Sequence, residues 1–312
     1  MSNYLVTGGA GFIGSHLVDR LVELGHHVRV LDDLSTGRLE NLDRVAGRFE
    51  WLCADAADPN TVRGAMADMD GVFHLAALSS VHLSFENPLQ NQRSGEVATL
   101  VVLDAARRAG VKRVVYSSSS AIYGDTSNKP NNEEVKPQPL SFYGLNKLVG
   151  EGYCRIFSRL YPELDAVSLR YFNVFGPRQN PSSSYSGVIT IFLRCLAEGN
   201  RPMIFGDGRQ RRDFIEVSNV VAANIAAMDS QLSLRGECFN VGTGTTVSIL
   251  ELWEYLAQNA SSDLTPQFGP ARPGDIRHSC ADTTKIQQTL RVQPPITWKE
   301  GLRNLLSTVT RS

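Results

Sequence analysis

The opening segment of the chain constrains its fold more than any other feature. The strand-like run Tyr4-Leu5-Val6-Thr7 passes directly into Gly8-Gly9-Ala10-Gly11-Phe12-Ile13-Gly14-Ser15-His16, and an amphipathic helical pattern follows over Ser15–Leu24. Glycines at 8, 11 and 14 let the backbone turn tightly, approach a ligand closely and seat the helix against the strand. A strand before and a helix after are the context in which this spacing carries meaning. The helix N-terminus, with its unpaired amides and its dipole, is suited to a pyrophosphate. Gly8, Gly11, Phe12, Ile13 and Gly14 are therefore the expected contacts of a dinucleotide.

The alternation continues. Further strands are expected at His27–Leu31, Phe49–Cys53, Gly71–Leu75, Arg113–Ser117, Asp165–Arg170 and Glu237–Val241, with helical patterns at Pro59–Ala67 and Val97–Ala109. Strands separated by helices predict an α/β fold with a doubly wound parallel sheet. After Phe175 the character changes. Gly176-Pro177-Arg178-Gln179-Asn180-Pro181-Ser182-Ser183-Ser184 reads as an exposed loop. Helices at Val188–Glu198 and Ile249–Asn259 then mix with short strands and turns, as in a smaller lobe over the carboxyl edge of the sheet. The expected division is a dinucleotide-binding domain over 1–175 with 213–245, and a smaller C-terminal substrate-binding lobe from 176–212 with 246–312.

Two acidic positions refine the ligand. Asp32 ends the second strand, where a carboxylate can accept both adenosine ribose hydroxyls and would repel a 2′-phosphate, which favours NAD over NADP. Asp33 could instead serve as a local cap. Asp55, just past the third strand, would face the adenine edge. Net charge of −1 offers no electrostatic footprint for nucleic acid or a membrane surface. Five scattered cysteines without a CxxC pattern argue for reduced thiols and against a disulfide frame or a metal site. No leader pattern and no apolar run of ~18 residues is present, so the expectation is a cytoplasmic protein.

The chemistry rests on Tyr143 and Lys147, four residues apart and hence on one face of a helix. A phenol with a pKa near 10 is a poor base at neutral pH, and a fixed ammonium nearby would bring that value down. The expected result is an oxygen that takes a proton from an alcohol while hydride leaves the same carbon. By itself the spacing occurs often on solvated helices; its weight comes from the motifs around it.

Those motifs occur in a telling order: Thr7–Gly14; Leu75-Ala76-Ala77; the serine run before Ala121-Ile122-Tyr123-Gly124; Tyr143…Lys147; Leu169-Arg170-Tyr171-Phe172-Asn173-Val174-Phe175-Gly176-Pro177-Arg178; and Gly206-Asp207-Gly208…Arg212-Asp213-Phe214. The chain resembles, from about residue 3 to about residue 300, the extended short-chain dehydrogenase/reductases with a Rossmann domain, and among them the NAD-dependent nucleotide-sugar 4-epimerases. The resemblance implies Tyr143 as base, Lys147 beside it and Ser119 as the hydroxyl that bridges Tyr143 and the sugar O4, with Ser118 and Ser120 as neighbouring alternatives. It implies NAD contacts from Asp32, Asp33, Asp55, Ala56, Leu75, Ala76, Ala77 and Tyr171 as well as from the glycine loop, Tyr143 and Lys147. For the UDP-sugar it implies Ser119, Ser120, Tyr143, Asn173, Val188, the backbone around Ile204 and Phe205, Arg212, Arg272, Asp275 and Ser279. Arg178, Arg209 and Arg211 remain alternatives to the named arginines. It further implies a homodimer joined through two helices per subunit, one of them carrying Tyr143.

Two departures stand out. The family has a cofactor-contacting asparagine where this chain has Gly95; a backbone group, water, Gln92 or Ser94 could substitute. The residue before the tyrosine is commonly proline and is Phe142 here. Ser279 sits where enzymes limited to UDP-glucose and UDP-galactose often carry a tyrosine, so the expected reaction is UDP-N-acetylglucosamine to UDP-N-acetylgalactosamine, with plain UDP-glucose/UDP-galactose epimerisation as the alternative. A 4,6-dehydratase would need an acid pair where Ser120-Ala121 stands, and an inactive NAD sensor would typically have lost the tyrosine or the lysine.

Overall fold

A computed structural model of the protein describes residues 1–126, 130–179, 187–271, 276–293 and 295–309. The first half runs β1 (Asn3–Thr7), α1 (Phe12–Glu23), β2 (His27–Asp32), β3 (Glu50–Cys53), α2 (Pro59–Ala65) and β4 (Gly71–His74). A broken helical stretch follows: α3 (Val81–Glu86), α4 (Pro88–Gln92), a π-helical turn over Arg93–Val97 and α5 (Ala98–Ala109). Next come β5 (Arg113–Ser119), α6 (Phe142–Leu160) and β6 (Asp165–Tyr171). The second half is finer grained: β7 (Asn173–Phe175), α7 (Val188–Glu198), β8 (Met203–Phe205), β9 (Arg211–Arg212), β10 (Phe214–Glu216), α8 (Val217–Asp229), β11 (Cys238–Val241), β12 (Val247–Ser248), α9 (Ile249–Asn259), β13 (Gln267–Gly269), β14 (His278–Ser279), α10 (Thr284–Leu290) and α11 (Trp298–Val309). The last part of the loop expected over Gly176–Ser184 lies outside the described residues.

Seven strands form one sheet in the order β11-β6-β5-β4-β1-β2-β3, with every neighbouring pair parallel. The chain winds outward from β1 to β3, then returns to place β4 on the other side of β1. That reversal is a switch point, and ligands bind outside the carboxyl ends of strands there. Side chains alternate between two buried faces, so the strands read as nearly continuous apolar runs. On one face Val6, Val30, Phe73 and Val115 pack beneath α1 and α8; on the other Leu5, Leu31, Val72 and Val114 pack beneath α2, α5 and α6. A third core, with Phe192 against Trp253 at 5.3 Å between ring centroids, joins α7, α9 and α11 in a lobe of its own. Among the described residues no helix is long and apolar enough to cross a membrane.

Two differences from the sequence expectation matter for the site. β5 continues past Ser117 to Ser119, because it stays paired with β6 through Ser119 opposite Tyr171. The helix expected from Val97 is preceded by the π turn, which widens the helix at Gly95.

Candidate active site

The glycine loop is shaped by contacts that exclude a side chain. Gly8 has φ of +71°, and a Cβ on Gly14 would lie 2.1 Å from the Gly8 carbonyl oxygen. The loop and the start of α1 therefore touch backbone to backbone. Gly11 is the N-cap of α1 and brings no side chain to its first amides, which leaves them to an anion. Asp32 closes one wall: its Oδ2 accepts from Ala10 N at 3.0 Å and its Oδ1 from Leu34 N at 2.9 Å. Burial pushes this carboxyl up, and the two amide bonds oppose that shift. Asp33 is turned to its own loop, accepting from Ser35 N.

A cleft of about 910 Å³ opens here and runs along the carboxyl edge of the sheet. It gathers Gly8, Gly11, Phe12, Ile13, Gly14, Asp32, Asp33, Asp55, Ala56, Leu75, Ala76, Ala77, Ser119, Tyr143, Lys147 and Tyr171 from parts of the sequence far apart. The cleft also takes in a segment the sequence reading passed over, Leu34 to Arg38, with Asn41 behind it. Asn41 Nδ2 and Arg38 N both donate to the Ala10 carbonyl, tying this segment to the glycine loop. The signal was present as Leu34-Ser35-Thr36-Gly37, a polar turn directly after Asp32-Asp33. Leu34 adopts φ of +59°, which no pattern rule would assign to a leucine. Arg93, from the π turn, was also missed. Its Nε and Nη2 donate to Asp55 Oδ2 at 3.0 and 2.8 Å, spanning the cleft's outer end.

At the inner end Ser119, Tyr143 and Lys147 converge. Ser141 caps α6 by accepting from Gly144 N at 3.0 Å, which fixes the helix start one residue before the phenol. Ser119 Oγ accepts from Ala121 N at 3.2 Å, and its hydroxyl stands beside the Tyr143 phenol. Burial raises the Tyr143 pKa above its ordinary value, and the Ser119 hydroxyl beside it works against that rise. The expectation that the ammonium would be the lowering influence is corrected here. Lys147 Nζ is 5.8 Å from the Tyr143 ring centroid and donates to the Ser117 carbonyl at 2.7 Å. Burial drops the Lys147 pKa itself to about 8. Behind it His74, held between Thr7 Oγ1 and Thr99 Oγ1 at 2.7 and 3.1 Å, is kept neutral by burial, with a pKa of about 3.

Of the residues expected at the sugar nucleotide, Ser119 and Tyr143 line this cleft, as does the alternative Arg178, while Ser120, Asn173, Val188, Ile204, Phe205, Arg212 and Ser279 do not. Ser120 begins the turn after β5, Asn173 begins β7 and Val188 begins α7. Ile204 is buried in the lobe core on β8, and the Phe205 carbonyl is already taken by Gln210 Nε2 at 2.9 Å. Arg212 and Ser279 are neighbours across the parallel β9–β14 pair. Arg272 and Asp275 lie outside the described residues.

The chain matches the model of the "NAD dependent epimerase/dehydratase family" over residues 4–242. The chain belongs to that family. It is 40% identical over 303 residues to the UDP-glucose 4-epimerase of Mycolicibacterium smegmatis, covering 96% of this chain and 95% of that one. Among solved structures it is similar to a UDP-N-acetylglucosamine 4-epimerase from Methanobrevibacter ruminantium in complex with UDP-N-acetylmuramic acid (TM-score 0.94, 37% identity, 100% of this chain and 99% of that chain). It is equally similar to the UDP-glucose 4-epimerase of Thermotoga maritima with UDP-glucose (TM-score 0.94, 38% identity, 99% of each chain).

NAD is the family's cofactor, and the residues present fit it. The backbone contact at Gly14 leaves a cradle that any Cβ would fill, at the N-terminus of α1. Asp32, the residue expected at the ribose, keeps acceptor capacity on both oxygens beyond its bonds to Ala10 N and Leu34 N. Leu75, Ala76 and Ala77 give the middle of the cleft an apolar floor leading to Tyr143 and Lys147.

Proposed function

We propose that the protein reversibly inverts the C4 hydroxyl of a UDP-hexose. The observation that carries this reading is the convergence of Ser119, Tyr143 and Lys147 at the inner end of the dinucleotide cleft. Tyr143 takes the proton of the C4 hydroxyl, with Ser119 bridging phenol and substrate. NAD, when bound, supplies the acceptor and donor for the hydrogen on C4. Lys147, anchored to the Ser117 carbonyl, keeps a positive charge beside the base. The 4-keto sugar turns about its link to UDP, so that hydrogen would come back to C4 on the opposite face while Tyr143 returns the proton to O4. Arg212, with Arg272, would pair with the diphosphate through guanidinium forks. Asn173, Asp275 and the backbone at Ile204 and Phe205 would hold the rest of the nucleotide.

For the sugar, the small, buried Ser279 supports acceptance of an N-acetyl group at C2, and the similarity to a UDP-N-acetylglucosamine 4-epimerase agrees. The similarities to UDP-glucose 4-epimerases support the plain hexose equally. The test is to incubate the protein with UDP-N-acetylglucosamine and with UDP-glucose, without added reductant, and separate the products. Tyr143→Phe should abolish both conversions; near-normal turnover by that variant would refute the assignment of the base. Ser279→Tyr should suppress the N-acetyl reaction more than the glucose reaction, and equal suppression would refute the gatekeeper role.

The reading extends to a homodimer in the cytoplasm. Phe142, Leu145, Ile156 and Leu160 of α6 and Leu100 of α5 are exposed apolar side chains on neighbouring helices. Such a stripe is suited to an isologous contact with a second copy.

A further inference from the structure

Gly95 marks where this chain departs from its family, and the space beside it is filled by another residue. A Cβ on Gly95 would lie 3.2 Å from both Cβ and Nδ2 of Asn146, a side chain that stands immediately before Lys147 on α6. Asn146 is 7% exposed and Asn91 2%. Asn146 Nδ2 donates to Asn91 Oδ1 at 2.6 Å, and Asn91 Nδ2 donates to the Leu78 carbonyl at 3.3 Å. Leu78 N in turn donates to Ser94 Oγ at 3.3 Å, so Ser94 is committed to the loop. A second route starts at the same turn. Thr99 Oγ1 donates to the Gly95 carbonyl at 2.6 Å and contacts His74 Nε2. His74 Nδ1 meets Thr7 Oγ1, which accepts from Ala76 N at 3.3 Å. Both routes end on the Ala76–Leu78 loop, which lines the cleft between the glycine cradle and Tyr143.

We propose that Asn146 and Asn91 are positioning residues that brace the Ala76–Leu78 loop against the helix carrying Tyr143 and Lys147, and that Gly95 exists to give the Asn146 amide its slot. Where the family is expected to carry an asparagine, an amide here comes instead from α6. Buried amides that satisfy one another fix a unique arrangement, because losing either leaves the other unpaired. The brace therefore holds the loop at the spacing the cofactor needs, without itself touching substrate. The inference rests on NAD occupying this cleft in an epimerase.

The experiment measures NAD dissociation from the purified full chain, by chase with labelled NAD, alongside kcat and KM for the UDP-hexose it turns over. Asn146→Ser shortens the side chain so that it no longer reaches Asn91. NAD should then leave about five- to tenfold faster, the effect of one buried hydrogen bond, while the UDP-hexose KM stays within about twofold. Asn91→Ala should do the same, and the double variant should be no worse than either single one, since both cut one chain. Gly95→Asn crowds Asn146 and should also speed NAD release. Gly95→Asn combined with Asn146→Ser should recover, because one amide again occupies one slot. An unchanged NAD off-rate in Asn146→Ser, or losses that multiply in either double variant, would overturn the brace. Wild-type protein that holds NAD but converts no UDP-hexose would instead overturn the functional reading, and the off-rates would still decide the brace.

Discussion

The pair Glu151 and Arg170 offers the sharpest test of how the catalytic edge is held. Glu151, on α6, is 1% exposed and Arg170, on β6, 3%. Arg170 Nε donates to Glu151 Oε1 at 2.9 Å and Nη2 to Oε2 at 2.8 Å. Ser118 Oγ donates to Oε1 at 2.6 Å, and Tyr123 OH accepts from Arg170 Nη1 at 2.8 Å. Ser118 directly precedes Ser119, so the pair fixes the strand end that presents the proton relay. Glu151→Gln keeps the shape but turns one acceptor oxygen into a donor facing the guanidinium or Ser118. An uncompensated buried charge of this kind costs about 3–5 kcal/mol. At about 2–4 °C per kcal/mol for a chain somewhat smaller than this one, the melting temperature should fall by roughly 6–20 °C.

The same variant should lower kcat on the UDP-hexose about tenfold with little change in KM, because Ser119 loses its fixed position while the residues proposed to hold the nucleotide, such as Arg212, are untouched. The control is Glu151→Met with Arg170→Met. Removing both charges leaves no unpaired ion and should recover most of the stability. It should not recover kcat, since Ser118 still lacks its acceptor. Calorimetric melting and steady-state kinetics on the three proteins decide the matter. A Glu151→Gln protein that melts within about a degree of wild type, roughly the effect of a surface substitution, would refute the reasoning. A double variant as unstable as the single one would refute it too.

Gly14→Ala should weaken NAD binding at least about tenfold, because its Cβ falls more than an ångström short of an ordinary 3.4 Å contact with the Gly8 carbonyl and α1 must move off the loop; bound NAD per protomer after gel filtration checks this. Lys147, depressed to about 8 from 10.5, gives two pH effects of opposite sense. Its charge is lost as pH rises through about 8, so kcat should fall there. Stability should rise between about 8 and 10.5, by at most about 3 kcal/mol, because the unfolded chain then binds the extra proton; below 8 the penalty is fully present. Parallel pH profiles of kcat and melting temperature test both, and Lys147→Met should flatten the stability profile. Leu145→Glu should convert a dimer to a monomer in sedimentation experiments, and an unchanged sedimentation coefficient would remove α6 from the contact.

Much of this molecule is legible in its sequence because local pattern and global fold agree. The glycine spacing needed only the strand before it and the helix after it to be read as a cradle. Seven expected strands all join the sheet, since apolar runs buried on two faces leave few alternatives. What was not legible depends on contacts between distant segments. Ser119 extends β5 only because Tyr171 pairs with it. Arg93 reaches Asp55 only because a π turn rotates it over the cleft. The Tyr143–Lys147 spacing placed both on one face, yet the ammonium turns to the Ser117 carbonyl and leaves Ser119 as the group that moderates the phenol. Side-chain termini choose among partners that only the assembled fold brings near.

The cofactor cleft and the ribbon that carries two of the expected sugar residues differ in a way the proposed reaction would require. An epimerase that returns its hydrogen must keep the cofactor while the sugar enters, turns and leaves. Thr7, Asp32, His74 and Thr99, which shape or brace the cofactor wall, are all at most 8% exposed; Thr7, His74 and Thr99 are bonded in a row, and Asp32 accepts from Ala10 N. The expected sugar residues Arg212 and Ser279 instead ride on two-residue strands of a small ribbon. Asp213 joins the two regimes. Its buried carboxylate accepts from Thr243 N, Thr243 Oγ1, Gly244 N and Ala281 N at 2.8, 2.6, 3.0 and 3.1 Å. One residue beyond Arg212, it ties the ribbon to the end of β11. A carboxylate with four donors is hard to dislodge, so Asp213 anchors the ribbon to the parallel sheet, while Arg211 ties its other end to Thr246 and Glu251. In the proposed reaction the sugar would turn beside a cofactor wall built from buried, hydrogen-bonded side chains.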